Sequence, residues 1–411
     1  MQNILATHLK QNVEAITLES KLLKLVHLVR KHLDMQVAFI AKFENGRRIF
    51  QSVDSSLQHC PIAPEQYDLE EDTYCRKIAD KELDPIINDT TKNKVTAQMA
   101  VTEKLTIGSY IGLPIILNSG KVYGTFCCYS NEHDDSLNKR DLSYLGLIAE
   151  IAGELIEERE LERETNSQHK YEIEQIIENN NICMYFQPIY CLHSNKIKGY
   201  ESLARFLTTP YKTPDVWFQN AENIGLGEEL EMLAVQNVMQ SLGDFHEDSY
   251  VSINVSPKHV ISGSLLKMLA DFDCTNVVIE ITEHSPIYDY NVMRQSLKPL
   301  KDKGVRLAID DVGAGYSSFQ HILELEADII KLDISLTQNI NKDRSKFLLA
   351  KALLGFAKAI NCTVIAEGIE NNQELMSLKE LGINNVQGYF IGKPSPLDDA
   401  LNLFKTGVNL H

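Results

Sequence analysis

Asp310 and Asp311 stand side by side at the end of the apolar run Val305–Ile309, and Val312, Gly313, Ala314 and Gly315 follow at once. Successive strand residues point to opposite faces, so adjacent acids can meet one centre mainly where a strand ends and the backbone turns out. Glycines at 313 and 315 would permit that turn. Taken alone, the stretch favours a capped turn in which an aspartate starts the next helix. The rest of the chain decides between the two readings.

Six further apolar runs carry a polar or charged residue in their midst or at their edge: Glu201, Asn254, Glu280, Lys331 with Asp333, Glu367, and Gln387. One acid in a strand is ordinarily outward-facing or salt-bridged. A series of them is not, because burying so many acids at one place is unfavourable unless bound divalent cations offset the charge. Oxygen ligands from Glu, Asp and Asn select magnesium or manganese over zinc.

The elements that would position these residues alternate strand with helix. From Ile182 onward the runs CMYFQPIY, KIKGYESLARF, YVSINVS, VVIEIT, VRLAIDD, DIIKLD, CTVIAEG and VQGYFIG are separated mostly by helix-length segments. Eight such strands over this length predict a (β/α)8 barrel in the α/β class. The first link, CLHSN, is too short for a parallel crossover, so one strand is expected to be antiparallel.

The first half reads differently. Leu18–Leu33 is an amphipathic helix by the spacing of Leu22, Leu25, Leu28 and Val29. VAFIAKF turns at Asn45 and Gly46 into RRIFQSV, and SYIGLPIIL turns at Asn118–Gly120 into KVYGTFCCYS, which predicts an antiparallel sheet. Leu142, Leu145, Ile148, Ile151, Leu155 and Ile156 then form a helical stripe running into charged residues. The polar stretch from 156 to 180 reads as a connecting helix or short coiled coil. The expected division is therefore 1–155, an α+β sensory unit; 156–180, a helical linker; and 181–411, the barrel.

A chain of 411 residues exceeds one ordinary core. Its net charge of -17 argues against a nucleic-acid polymer as partner. The eight cysteines show no CxxC pair, as expected of free thiols in a reducing cytoplasm. Among them Cys75 reads as a small buried hydrophobe, with a chromophore or redox thiol as the alternative. No run approaches the roughly 20 apolar residues of a membrane span, so no membrane association is expected.

Residues 173 to 411 resemble the EAL family of cyclic di-GMP phosphodiesterases. The resemblance rests on FQPI, on Glu201-Ser202-Leu203 for the name-giving Glu-Ala-Leu, on Arg205, INVS, EITE, IDDVGAGYSS, KLD, AEGIE and VQGY, in order. It implies hydrolysis of cyclic di-GMP to linear pGpG at two Mg2+ or Mn2+ ions. Glu201, Asn254, Glu280 and Asp310 would hold one ion, while Asp311 and Glu367 would hold the second with Asp310 as the bridge. Lys331 matches the catalytic lysine, a base made more useful if nearby cations favour its neutral form, and Asp333 would orient it. Glu283 would anchor the loop after Asp311. Arg205 matches the substrate-phosphate arginine; Gln187, Leu203, Asp333, Glu370 and Gln387 would complete the substrate contacts, Gln387 facing metal-bound water or substrate.

The family commonly has phenylalanine and threonine where Val312 and Ala314 stand, so the rival reading is a cyclic di-GMP receptor that does not cleave. No GGDEF or GGEEF signature points to a cyclase. Family members tend to dimerise through the loop and helix after the paired acids, which implies a homodimer. The first half resembles a GAF sensory domain in TYCRKI, IGSYIGLPI and VYGTFCCYS. That implies regulation by a small molecule the sequence does not identify.

Overall fold

A computed structural model describes residues 17–313 and 316–406. Ala314 and Gly315, expected to shape the turn after the paired acids, lie outside the described residues. The chain divides into two compact units, Met1–Thr165 and Asn166–His411.

The first unit opens with the helix Leu18–His32, capped by the Thr17 hydroxyl. Its buried face is Leu22, Val26 and Val29, whereas Leu28 is exposed, so the apolar stripe is rotated from the expected one. A six-stranded antiparallel sheet follows: β1 (Val37–Glu44), β2 (Arg47–Ser55), β3 (Tyr67–Leu69), β4 (Ile86–Ile87), β5 (Ser109–Ile116) and β6 (Val122–Ser130). The spatial order is β3-β2-β1-β6-β5-β4. Both expected hairpins are present; the short edge strands β3 and β4 carried no alternating pattern long enough to read. Alternation along β1 and β6 splits their side chains between two cores. Ala38, Ile40, Phe126 and Cys128 pack with the Leu18–His32 helix, while Phe39, Cys127 and Tyr129 pack with the helix Tyr74–Ala79.

The predicted terminal helix is a single span, Lys139–Asn179. Leu145, Ala149, Ala152 and Ile156 belong to the first unit's core, and Ile173 and Ile176 to a core cluster of the second.

The second unit is a closed barrel of β7 (Ile182–Cys191), β8 (Lys196–Phe206), β9 (Tyr250–Asn254), β10 (Val277–Thr282), β11 (Arg306–Val312), β12 (Ile329–Leu332), β13 (Thr363–Ala366) and β14 (Asn385–Val386). Neighbours from β8 to β14 pair in parallel, and β14 closes on β7. β7 runs antiparallel to both its neighbours, as the short first link requires. The eighth run was read as a full strand, but only Asn385 and Val386 pair. Gly388 has φ +156° with its Cα against Ile369, where a Cβ would come 2.1 Å from the backbone nitrogen, and the chain turns away there.

Period two also layers the barrel interior. Ile189, Val278, Ala308, Ile329 and Ile365 form a buried apolar cluster. Two residues along from these stand Gln187, Glu280, Asp310 and Lys331 on the same strands, and Glu367 just past the end of β13. An apolar plug thus supports a layer of charge.

Candidate active site

The centre of that layer is Lys331, whose side chain is wholly buried. Its Nζ lies 2.7 Å from Glu280 Oε2, 2.9 Å from Glu367 Oε1, 3.1 Å from Asp310 Oδ1 and 3.3 Å from Glu201 Oε2. Burial pulls the ammonium down, but the four surrounding carboxylates outweigh it and hold Lys331 well above the ordinary lysine range. In these surroundings the acids favour the ammonium form, and Lys331 is their counter-charge.

The acids themselves are under strain of charge. Burial pushes Glu280 well above the usual carboxylate range, against the pull of Lys331. Glu367 is pushed up to about 8 by burial, with Asp310 and Glu201 adding repulsion. Asp311 rises to about 6, first through burial and then through the charges of Asp310 and Asp333.

The paired acids reach this centre by a bulge. Ile309 pairs with Ile330, but Val312 pairs with Leu332, so β11 carries one residue more than β12 across this step. Asp311 takes up the excess in the left-handed region, at φ 56°. A left-handed bend thus falls on the second aspartate, ahead of the glycines expected to permit the turn. Asp311 N–H donates to Asp310 Oδ1 at 2.9 Å, which fixes the first carboxylate against the bend. Glu283 braces the far side: its own N–H donates to the Asp310 carbonyl, and its Oε2 accepts from Gly313 N–H at 3.3 Å.

Ligand oxygens of Glu201, Glu280 and Asp310 lie within 4.8 Å of one another, and so do those of Asp310, Asp311 and Glu367. Asp310 belongs to both groups. Asn254 sits beside the first, donating to Glu201 Oε1 at 3.4 Å. Gln387 holds the other oxygen of Glu201 at 2.6 Å and Gln187 Oε1 at 3.0 Å, while its own buried Oε1 has no partner. Its amide nitrogen thus holds the Glu201 carboxylate in place.

A cavity of about 450 Å³ opens over this layer, lined by Gln187, Glu201, Leu203, Asp310, Asp311, Asp333, Glu367, Glu370 and Gln387 among others. A second cavity of about 780 Å³ shares Leu203 and takes in Arg205, Asn254 and Glu280. Arg205 lies over the Tyr185 ring at 5.3 Å and donates to the Ala204 carbonyl. Asp333 was expected to orient Lys331; instead its Oδ1 caps the short helix Ile334–Thr337 through Ser335 N–H, and no hydrogen bond or ion pair joins it to the lysine. Glu370 N–H donates to Glu374 Oε2.

Four residues of the first cavity's wall, Ile334, Gly368, Gly388 and Tyr389, escaped the sequence reading. Gly368 has φ +68°, and a Cβ there would come 2.2 Å from the Ile334 side chain. The AEGIE text put Gly368 next to a ligand, but its tight contact depends on a residue thirty-four positions away in sequence.

Residues 171–394 match the family profile described as the EAL domain, which is more than half of the chain. The chain belongs to the EAL domain family. Residues 15–157 match the profile described as the GAF domain. The chain is 28% identical over 268 residues to a probable cyclic di-GMP phosphodiesterase, PdeB, of Escherichia coli K12, covering 62% of this chain and 51% of that protein. It is 27% identical over 241 residues to the cyclic di-GMP phosphodiesterase PdeF of the same organism, covering 56% and 32%. The chain thus spans about half or less of these relatives. The EAL domain protein of Listeria monocytogenes EGD-e superposes with a TM-score of 0.53 at 24% identity, covering 58% of this chain and 98% of that one. That likeness establishes the barrel fold. No helix among the described residues is long and apolar enough to cross a membrane.

Proposed function

We propose that the EAL domain hydrolyses cyclic di-GMP to linear pGpG at two Mg2+ or Mn2+ ions, and that the GAF domain regulates it through a small ligand. The observation that carries this reading is the membership of Asp310 in both carboxylate groups. Charge supports it as well: Glu201, Glu280, Asp310, Asp311 and Glu367 face one ammonium, leaving a formal excess of four negative charges that two divalent cations would balance. The orphaned Gln387 Oε1 is a further acceptor beside the cluster.

Glu201, Asn254, Glu280 and Asp310 would hold one ion; Asp310, Asp311 and Glu367 the other. Ions bound there would lower the pKa of a water and neutralise charge on the phosphodiester. Lys331 keeps the acids apart and donates to their oxygens. Arg205 would meet a phosphate, Gln187, Leu203 and Glu370 would bound the substrate, and Asp333 would face it from the cavity wall. Glu283 positions the chain after Asp311 rather than touching substrate.

The test is incubation of the purified chain with cyclic di-GMP and each metal, followed by chromatography for pGpG. Binding without product at millimolar metal would sink the reading and leave the receptor. We also infer a homodimer through the helix Tyr316–Leu325; a monomeric mass by light scattering under assay conditions would overturn that. Residues 156–180 would serve as the linker between the domains.

A further inference from the structure

In the GAF domain, the helix Tyr74–Ala79 and strand β6 each contribute a fully buried thiol to one spot. Cys75 Sγ lies 3.8 Å from Cys127 Sγ, which is van der Waals contact. Neither sulfur is bonded to another cysteine. An S–S bond near 2.05 Å requires the two sulfurs to close by less than about 2 Å. Strand alternation singles out this pair, because Cys128 points into the other core.

The surroundings are not those of inert core cysteines. Arg48 is 2% exposed, and its Nη1 lies 3.6 Å from Cys75 Sγ. Asp68 neutralises the outer edge of the guanidinium, while Nε has no partner. Tyr110 Oη stands 3.5 Å from the same sulfur. A Cβ at residue 112 would come 2.8 Å from Cys127 Sγ, so the glycine there leaves that sulfur its space. With Asp68 on its outer edge, the guanidinium turns its inner edge to the sulfur, where its charge favours the thiolate form of Cys75.

We propose that Cys75 and Cys127 are a peroxide-responsive dithiol that closes to a disulfide, with Cys75 as the nucleophile and Cys127 as the resolving thiol. The Cys75 thiolate attacks one oxygen of hydrogen peroxide; an S–O bond forms, the O–O bond breaks and hydroxide leaves. Sulfur loses two electrons and the peroxide gains them. Cys127 sulfur then attacks the sulfenic sulfur, the S–S bond forms, the S–O bond breaks, and the hydroxyl leaves as water with the Cys127 proton. The assignment of roles follows the environments. Burial pushes both thiols up, but for Cys75 the Cys127 hydrogen bond and the Arg48 charge outweigh it and hold that thiol well below its usual range. Cys127 stays well above.

The experiment is peroxide treatment of the full chain, then alkylation in denaturant, non-reducing digestion and mass spectrometry. A Cys75–Cys127 linked peptide that dithiothreitol abolishes is the expected result. Cys127→Ser should lose that peptide and accumulate dimedone-trapped sulfenic acid at Cys75. Arg48→Lys, checked for folding by circular dichroism, should link more slowly; linking at the wild-type rate would remove arginine activation from the proposal. Oxidation confined to the partly exposed Cys60, Cys183 and Cys191, with Cys75 and Cys127 still alkylated, would overturn it outright; because the unmutated chain is used, that outcome does not depend on a variant folding.

Discussion

Asp310 and Asp311 are chain neighbours on one strand, yet both carboxylates belong to the same acidic cluster, because Asp311 sits in a left-handed bulge at φ 56°. Without the bulge, strand alternation would turn one of them away.

Their roles should separate in metal titrations. Asp311→Asn removes an anion from one ligand group and is expected to leave one Mn2+ bound per chain. Asp310→Asn weakens both groups and should lose both ions. Each should reduce cyclic di-GMP turnover by at least about 10². Calorimetry with mass-spectrometric metal counting measures this; equal stoichiometry in the two variants would contradict the bridging assignment.

Replacing Lys331 with Met leaves four acids facing one another around a buried thioether. Removing one side of a buried ionic cluster is destabilising by ~3–5 kcal/mol. The variant should melt earlier than wild type in chelator, and Mg2+ or Mn2+ should restore more stability to it than to the parent. An unchanged melting temperature in chelator would mean that the lysine is not the counter-charge.

Stability of the chelated protein should also fall with pH. The folded value of Glu367 is about 8, above its ordinary 4.5, so its contribution is full below pH 4.5 and is lost as pH rises through 8. Asp311 has the same sign over a lower window, from 3.8 to about 6. Thermal melts in chelator from pH 5 upward check this. Divalent cation should flatten the slope, since bound metal replaces the protons; a melting temperature that climbs over this range would refute it.

Two glycines should respond oppositely to alanine. At Gly388 a Cβ would collide with the Ile369 backbone, so Gly388→Ala is expected to destabilise by more than about 2 kcal/mol and disturb Gln387. Gly355, exposed within the helix Arg344–Ala359, meets nothing within 4 Å, and Gly355→Ala should stabilise by about 0.5–1 kcal/mol. Urea denaturation of both variants compares them.

How much of this was legible in the sequence depended on how local the determinant was. Glu201, Glu280 and Glu367 stood out because each interrupts an apolar run, and the antiparallel β7 followed from a link too short to cross over. The bulge at Asp311 was not legible, since it exists only as a mismatch with β12. Lys331 could be placed on its strand but not among four acids, three from other strands and Glu367 from just past the end of β13. Asp333 caps a helix instead of orienting the lysine, a local use that a motif read for chemistry conceals. VQGYFIG looked like a strand by hydrophobicity, and one close backbone contact at Gly388 ended it.

The hydrogen bonds from Gln387 to Gln187 and Glu201 join residues 200 and 186 positions apart. Contacts of such long sequence separation form late, because the intervening chain must first be brought to closure. During synthesis, Glu201 therefore leaves the ribosome long before the amide that will hold it. Until Gln387 emerges, Glu201 lacks that hydrogen bond, and the charged layer can acquire its full geometry only in the last stage of assembly.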